Sequence, residues 1–356
     1  MQKFDIASAT LEEICVFVEG LGEKSFRGQQ IFEWIHKKQA QSFDEMSNIS
    51  QNLRNKLAEN MVFFPPKAVN EQISRNDSTK KLLFALKNCD IMDTENQVVN
   101  IESVLMSYRH GLSACLSTQA GCRMGCDFCA SEGIGFERNL TAGEIAGQYY
   151  QLSKIAGERI SNIVLMGIGE PLDNYDNVLR FIQLINHPKG ASLSQRSITL
   201  STCGLVPKIY ALMKENLQIN LAISLHAPNN QIRRKLMPIA RKYDIDELLE
   251  ACKAYAKGGR RITFEYIMID GVNDSIGNAQ ELCKRIAGMN CHINLIYANS
   301  IPEKGYAKSS PAKMRTFQEV LTKAGFAATV RREMGADIRA ACGQLSKDNQ
   351  IKNNQI

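Results

Sequence analysis

The sequence predicts an α/β protein: a partial (β/α)6 TIM-like barrel preceded by a small α+β accessory domain. Three observations carry that expectation. Six short apolar, β-prone runs alternate with helical stretches between Leu112 and Tyr297, the pattern of βαβ units and a parallel sheet. The residues before them show helical periodicity and then two alternating strands. A loop rich in cysteine and glycine follows the first of the six runs, where barrels of this kind carry their chemistry.

Taken in order, residues 1 to 60 predict helices. Leu11, Ile14, Val16, Phe17 and Leu21 recur near helical spacing and Gly22 closes the segment. Ser25 is the expected N-cap of a second helix carrying Ile31, Phe32, Trp34 and Ile35. Pro65-Pro66 breaks the chain, and strands follow from Lys81 to Leu86 and from Val98 to Met106. The six barrel runs are Leu112–Ser117, Ile163–Met166, Ser197–Leu200, Ile219–Leu225, Ile262–Ile269 and Ile293–Tyr297, with helices at Ala142–Ala156, Val178–Ile185 and Asp246–Ala256 among those between. The expected division is an accessory domain over 1–107, a barrel over 108–332 and a C-terminal segment over 333–356, frayed after Gln344.

Composition narrows the class. The 356 residues are 44% hydrophobic and 22% charged, ordinary for a globular protein. No apolar run approaches the ~20 residues of a membrane span, and the start Met-Gln-Lys-Phe-Asp-Ile lacks a signal-peptide pattern. A cytoplasmic protein is expected. Net charge is +6 and the isoelectric point is near 8.7. The clusters Arg233-Arg234-Lys235, Arg241-Lys242, Arg260-Arg261 and Arg331-Arg332, with Arg339, each predict a solvated face; together they permit an RNA partner. Eleven cysteines in a large chain without a signal peptide point to metal or catalytic work. Cys15, Cys89, Cys203, Cys252, Cys283 and Cys291 are expected as small buried hydrophobes.

The chemistry concentrates in Cys122, Cys126 and Cys129, spaced C-x3-C-x2-C. Thiolates select zinc or iron–sulfur clusters, and a structural zinc takes four closed ligands. Three thiolates from one loop suit a [4Fe–4S] cube with one open iron; a zinc knuckle with a remote fourth ligand is the alternative. After the second run comes Gly167-Ile168-Gly169-Glu170-Pro171, a close-approach turn with a carboxylate able to pair with an ammonium. Ser201 ends the third run, and Ser224-Leu225-His226 end the fourth. Glu102 interrupts an apolar strand, and such a carboxylate needs a partner or a task. Cys342 lies among basic residues that would depress its pKa; Cys115 by itself reads as a core strand residue.

These motifs together resemble one family. Gln119-Ala120-Gly121-Cys122, Asn139-Leu140-Thr141, Met166–Leu172, Leu200-Ser201-Thr202, Ala222–Asn229 and Ala340–Leu345 are similar to the radical SAM RNA-adenine methyltransferases of the RlmN/Cfr type. The resemblance runs from near residue 20 to residue 345. It implies a radical SAM barrel with a [4Fe–4S] cluster on Cys122, Cys126 and Cys129, and S-adenosyl-L-methionine (SAM) held by Gly169, Glu170, Ser201, Ser224, Leu225, His226 and Asn299. It further implies Cys342 as an S-methylcysteine carrier, Cys115 as the resolving partner in a transient disulfide, and Glu102 as proton acceptor.

The implied substrates are 23S rRNA at the peptidyl transferase centre and tRNA beside the anticodon, methylated at adenine C2. An electron donor such as flavodoxin or ferredoxin, an RNA-gripping role for the accessory domain, no membrane and a monomer are expected as well. Residues 21–31 and 101–105 resemble the C2 branch; C8 methylation of the same rRNA adenine is the near alternative, and a zinc-containing RNA-binding protein the alternative of another class. The chain departs from the family pattern at Ala240, where Asn is usual, and at Ser300, where Pro is usual.

Overall fold

The computed structural model describes residues 4–87, 98–299 and 305–345. Cys89, Ser300 and the tail from residue 346 lie outside them. In chain order the elements are β1 (Phe4–Asp5), α1 (Leu11–Gly20), α2 (Phe26–His36), α3 (Gln51–Asn60), β2 (Met61–Val62), β3 (Lys67–Ile73), β4 (Lys80–Lys87), β5 (Val98–Tyr108) and β6 (Gly111–Cys115). Next come β7 (Gln119–Gly121), β8 (Phe136–Asn139), α4 (Ala142–Ala156), β9 (Ile160–Leu165), α5 (Tyr175–Asn186), β10 (Ile198–Thr202), α6 (Val206–Lys214), β11 (Asn220–Ser224) and α7 (Asn230–Leu236). The remainder is α8 (Ile245–Ala256), β12 (Ile262–Met268), α9 (Ile276–Arg285), β13 (Cys291–Tyr297), α10 (Pro311–Lys323) and β14 (Ala327–Val330).

Ten strands form one sheet in the order β14-β13-β12-β11-β10-β9-β6-β5-β4-β3. From β6 to β14 every neighbouring pair is parallel, as the alternation of strands and helices predicts. The six expected barrel strands are present. The edge strand β14 is an addition: its four residues are exposed or half-buried, so the sequence offers no apolar run to mark it. At the other side β3, β4 and β5 continue the sheet antiparallel to β6. Strands β3, β4 and β5 therefore share one hydrogen-bonded sheet with the barrel, while β1 and β2 pair apart from it.

The helices at the start bury one face. Ile14 and Val18 in α1, and Ile31, Phe32 and Ile35 in α2, join a core that continues into the barrel strands. Val16, expected on the buried face, is 68% exposed, because two residues turn a helix by about 200° from Ile14. Ser25 is helical itself and makes no side-chain cap bond; its carbonyl accepts from Gly28 N at 2.9 Å, so the turn begins one step early. Thr141 caps α4 as one half of a capping box with Glu144. A Cβ on Gly143 of that helix would lie 2.8 Å from the Ala7 carbonyl carbon, so its absence lets α4 press on the N-terminal segment.

Gln148, fully buried in α4, ties both halves of the sheet together. Its Oε1 accepts from Ser103 Oγ at 2.6 Å and Ser117 N at 2.9 Å, and its Nε2 donates to Ser117 O at 3.0 Å. Gln148→Leu strands those groups without partners; a loss of about 2–3 kcal/mol is expected, read as a lower urea midpoint with an unchanged slope.

Candidate active site

The C-terminal ends of the parallel strands surround a cavity. Cys122, Cys126 and Cys129 line it together with Gly169, Glu170, Ser201, Ser224 and His226. The loop carrying the cysteines is held from both sides: Cys122 N donates to Gly135 O at 3.2 Å, Asp127 N to Leu236 O at 2.9 Å and Ala130 N to Gly343 O at 2.7 Å. Burial pushes the Cys122 thiol up to about 11 and raises Cys126 and Cys129 as well. As bare thiols they are protonated, and a soft metal would have to displace those protons. Among the described residues no three His, Cys, Asp or Glu side chains converge as a single metal ion requires. Three soft donors on one loop, opening on one cavity, have the chemistry to hold an iron–sulfur cluster.

The turn after β9 has a defined geometry. Gly169 has φ +105°, and a Cβ there would lie 2.6 Å from Gln119 Cβ and 2.8 Å from Gln119 N. Gln119 in turn accepts from Glu170 N at 2.9 Å and donates to Asn139 Oδ1 and Asp173 Oδ2, each at 2.8 Å. The Glu170 carboxylate accepts from Leu172 N at 3.0 Å and Cys203 N at 2.7 Å. Burial raises its pKa against those bonds, which leaves an anion whose stability would grow with a cationic ligand.

His226 is buried at φ +57°. Its Nδ1 accepts from Ile267 N at 3.0 Å, so the proton of the neutral ring sits on Nε2. Burial first, and Arg233 second, hold its pKa near 3. Leu225 does not line the cavity; it is buried, and its N–H donates to Glu265 O at 3.1 Å.

Cys342 stands where two cavities meet. It lines the one just described and a second one shared with Cys115, Asn299 and Arg331. Cys342 is open to solvent within concave protein walls. Burial raises its pKa, with Arg331 pulling in the other direction; the depression expected from neighbouring basic residues is thus overruled by desolvation. Cys115 is buried and pushed up to about 12 by burial and by Cys342, against Arg331. Asn299 Nδ2 donates to Cys342 O at 2.8 Å, and its buried Oδ1 has no partner among the described residues.

Glu102 lines neither cavity. It forms a buried ion pair with Lys81 at 3.1 Å, on the same face of β5 as Val104 and Met106, and Met106 borders the second cavity. Ala240 is fully buried.

Several residues escaped the sequence reading. Cys203, expected as a simple hydrophobe, lines the main cavity and donates to Glu170. Cys252 and Cys291 are buried as expected, whereas Cys15 and Cys283 are only half-buried. Glu265 lines the main cavity, accepts from Asn294 Nδ2 at 3.0 Å and lies 4.0 Å from Arg331; it interrupts an apolar strand, the same signal that marked Glu102. Arg233, assigned to a solvated face, is 0% exposed. Its place among charged neighbours in sequence hid that.

The segment carrying Cys342 is latched onto the β3–β4 hairpin. Asp337 accepts from Ser74 Oγ at 2.7 Å and Arg75 N at 2.9 Å, and Gly335 N donates to Asp77 Oδ2 at 2.9 Å. Asp337→Ala removes two of these three bonds. Hydrogen exchange over residues 335–345 should quicken several-fold while the global melting temperature stays within a degree or so, because local opening need not follow global unfolding.

Comparison with known proteins agrees with this architecture. The radical SAM superfamily profile matches residues 116–283, and that of the ribosomal RNA large subunit methyltransferase N-terminal domain matches residues 4–63. A probable dual-specificity RNA methyltransferase RlmN from Alkaliphilus oremlandii is 52% identical over 348 residues, 98% of each chain. One from Clostridium novyi is 52% identical over 351 residues, covering 98% of this chain and 99% of the relative. The crystal structure of a radical SAM methyltransferase from Sphaerobacter thermophilus superposes with a TM-score of 0.90 at 40% identity, over 96% of this chain and 99% of that one. Near-full-length identity at this level, with the N-terminal domain included, leads to one statement: the chain belongs to the RlmN family of radical SAM RNA methyltransferases.

Proposed function

We propose that this enzyme methylates C2 of adenosine in 23S rRNA, at the peptidyl transferase centre, and in tRNA beside the anticodon. The observation that carries the reading is the position of Cys342, lining at once the cavity of the three-cysteine loop and the cavity of Cys115. A methyl group on Cys342 would stand between the site of its activation and the thiol that releases the product.

Cys122, Cys126 and Cys129 would hold a [4Fe–4S] cluster, and the Glu170 carboxylate would take the amino group of SAM. Gly169 lets backbone approach that ligand, while Ser201, Ser224 and His226 line the same cavity; Leu225 backs them, and Asn299 would reach the ligand from the adjoining cavity. When bound, cluster and SAM supply a 5′-deoxyadenosyl radical, a reagent able to activate an unreactive methyl group. Cys342, whose thiol loses its proton and takes a methyl from a first SAM with release of S-adenosylhomocysteine, carries that methyl to the adenine ring, whose amidine carbon C2 is closed to ordinary displacement. The second SAM is the source of the radical. As the radical adduct gives up one electron to the donor system, Glu102, beside Lys81 on β5, takes the proton lost from C2. The Cys115 thiol then attacks the Cys342 sulfur, whose bond to the methylene breaks. The methylene takes up a proton as the methyl of the product, while the two sulfurs form a disulfide.

Residues 1–107 serve as the RNA-gripping domain, 108–332 as the barrel and 333–356 as the carrier segment. The base would have to leave its stack to reach the barrel mouth. A flavodoxin- or ferredoxin-like donor supplies the electron, and a cytoplasmic monomer accords with the rest. The names of the relatives, dual-specificity RNA methyltransferases, and the matched ribosomal RNA methyltransferase N-terminal domain support RNA substrates of two kinds, while C2 over C8 rests on residues 21–31 and 101–105.

Nucleoside mass spectrometry of rRNA and tRNA treated with the anaerobically purified enzyme should show 2-methyladenosine in both. Only 8-methyladenosine would move the assignment to C8, and a colourless preparation holding zinc without iron would end the radical reading. Cys342→Ala should lower methyl transfer at least about 10³-fold; normal turnover would remove the carrier role.

A further inference from the structure

Arg233 is the largest fully buried side chain among the described residues, and the chemistry described above does not use it. It rises from α7, whose N-terminus is capped by the Asn229 side chain at 3.0 Å from Ile232 N. Its Nη2 donates to Cys203 O at 2.6 Å. Nε and Nη1 have no partner among the described residues. Gly204 makes room for the head group: a Cβ there would lie 3.2 Å from Nη2.

A buried guanidinium bound to one neutral carbonyl is costly. Burying an ion without a countercharge costs several kcal/mol even after relaxation, so such a group needs an anion in the working state. Its helix reaches the cysteine loop: Leu236 O accepts from Asp127 N at 2.9 Å, and Cys126 and Cys203 pack in one apolar cluster with Ile232 and Leu236. Cys126 lines the main cavity on the loop of the three cysteines, and Cys203 lines its wall. The anion that matches it would be the cluster that Cys126 helps to hold.

We propose that Arg233 is the buried countercharge of the iron–sulfur cluster, favouring its assembly and its one-electron reduction. The inference rests on the cluster assignment above. Three thiolates and the sulfides give the cluster a negative charge that grows by one on reduction. A fixed cation at the cavity wall beside Cys203 stabilises the reduced form more than the oxidised one. The electron comes from a low-potential one-electron donor and no bond is made or broken at Arg233, which acts through charge alone and is a positioning residue.

The test compares wild type with Arg233→Met and Arg233→Lys, each as apo-protein and after anaerobic reconstitution with iron and sulfide. Measurements are iron content, melting temperature and the midpoint potential, followed by EPR without SAM. Arg233→Met should shift the reduction equilibrium about tenfold toward the oxidised form, about 59 mV for one electron. Arg233→Lys should restore at least half of that shift. As apo-protein Arg233→Met should melt no lower than wild type, since an unmatched charge has been removed, while gaining less from reconstitution. An unchanged midpoint, or an apo variant that melts lower or fails to fold, would show a packing residue and overturn the inference. A wild-type chain that takes up no iron would instead overturn the cluster reading itself, and this inference with it.

Discussion

The antiparallel pairing of β5 with β6 is the contact on which the remaining structure depends. Strand β6 is bonded on one side to the accessory strands and on the other to the parallel strands of the barrel. Cys115 ends it, opposite Val104, and the cysteine loop leaves from its C-terminal side. Ser117, just beyond, donates to Glu102 O at 2.6 Å and accepts from Ile168 N at 2.9 Å. One short stretch thus connects β5, the turn before Glu170 and, through Gln148, helix α4. A shift of β6 by one residue would turn Cys115 to the opposite face and separate it from Cys342.

The site is built largely by taking charge and thiol out of water. Glu170, Glu265, Arg233 and the cysteines that line the main cavity all feel burial as the largest influence on their protonation. In the bare protein this keeps the thiols neutral and leaves the charged groups short of matched partners. Low dielectric strengthens whatever opposite charge arrives, so the same desolvation that destabilises the empty site favours ligands bringing complementary charge. The latch between the β3–β4 hairpin and residues 335–337 adds a geometric condition, because the segment of Cys342 is located by a hairpin far from it in sequence.

Much of the fold was legible because the chain repeats a simple rule. Apolar runs such as Ile262–Met268 are short, β-branched or aromatic and flanked by helices with clear caps, Asp244 and Ser275 among them. Parallel strands buried on both faces must be written this way. Strand β14 lacked the apolar signal, Val16 imitated it on an exposed face, and Ser25 had the right residue type with the wrong backbone. Each miss arose where local preference yielded to the position of a neighbour.

By itself the sequence determined the parallel barrel, the loop of three cysteines, the Gly-Glu turn and the polar strand ends at Ser201, Ser224 and His226. Period, spacing and residue chemistry are local properties, so they survive in one dimension. Only the tertiary structure decided that Cys342 joins two cavities, that Glu102 meets Lys81, and that Arg331 and Glu265 face the site. It likewise decided that Arg233 is buried while its neighbours in the basic run are not. Those facts depend on which elements pack together and on how much water packing removes, and neither is written in the spacing of residues along the chain.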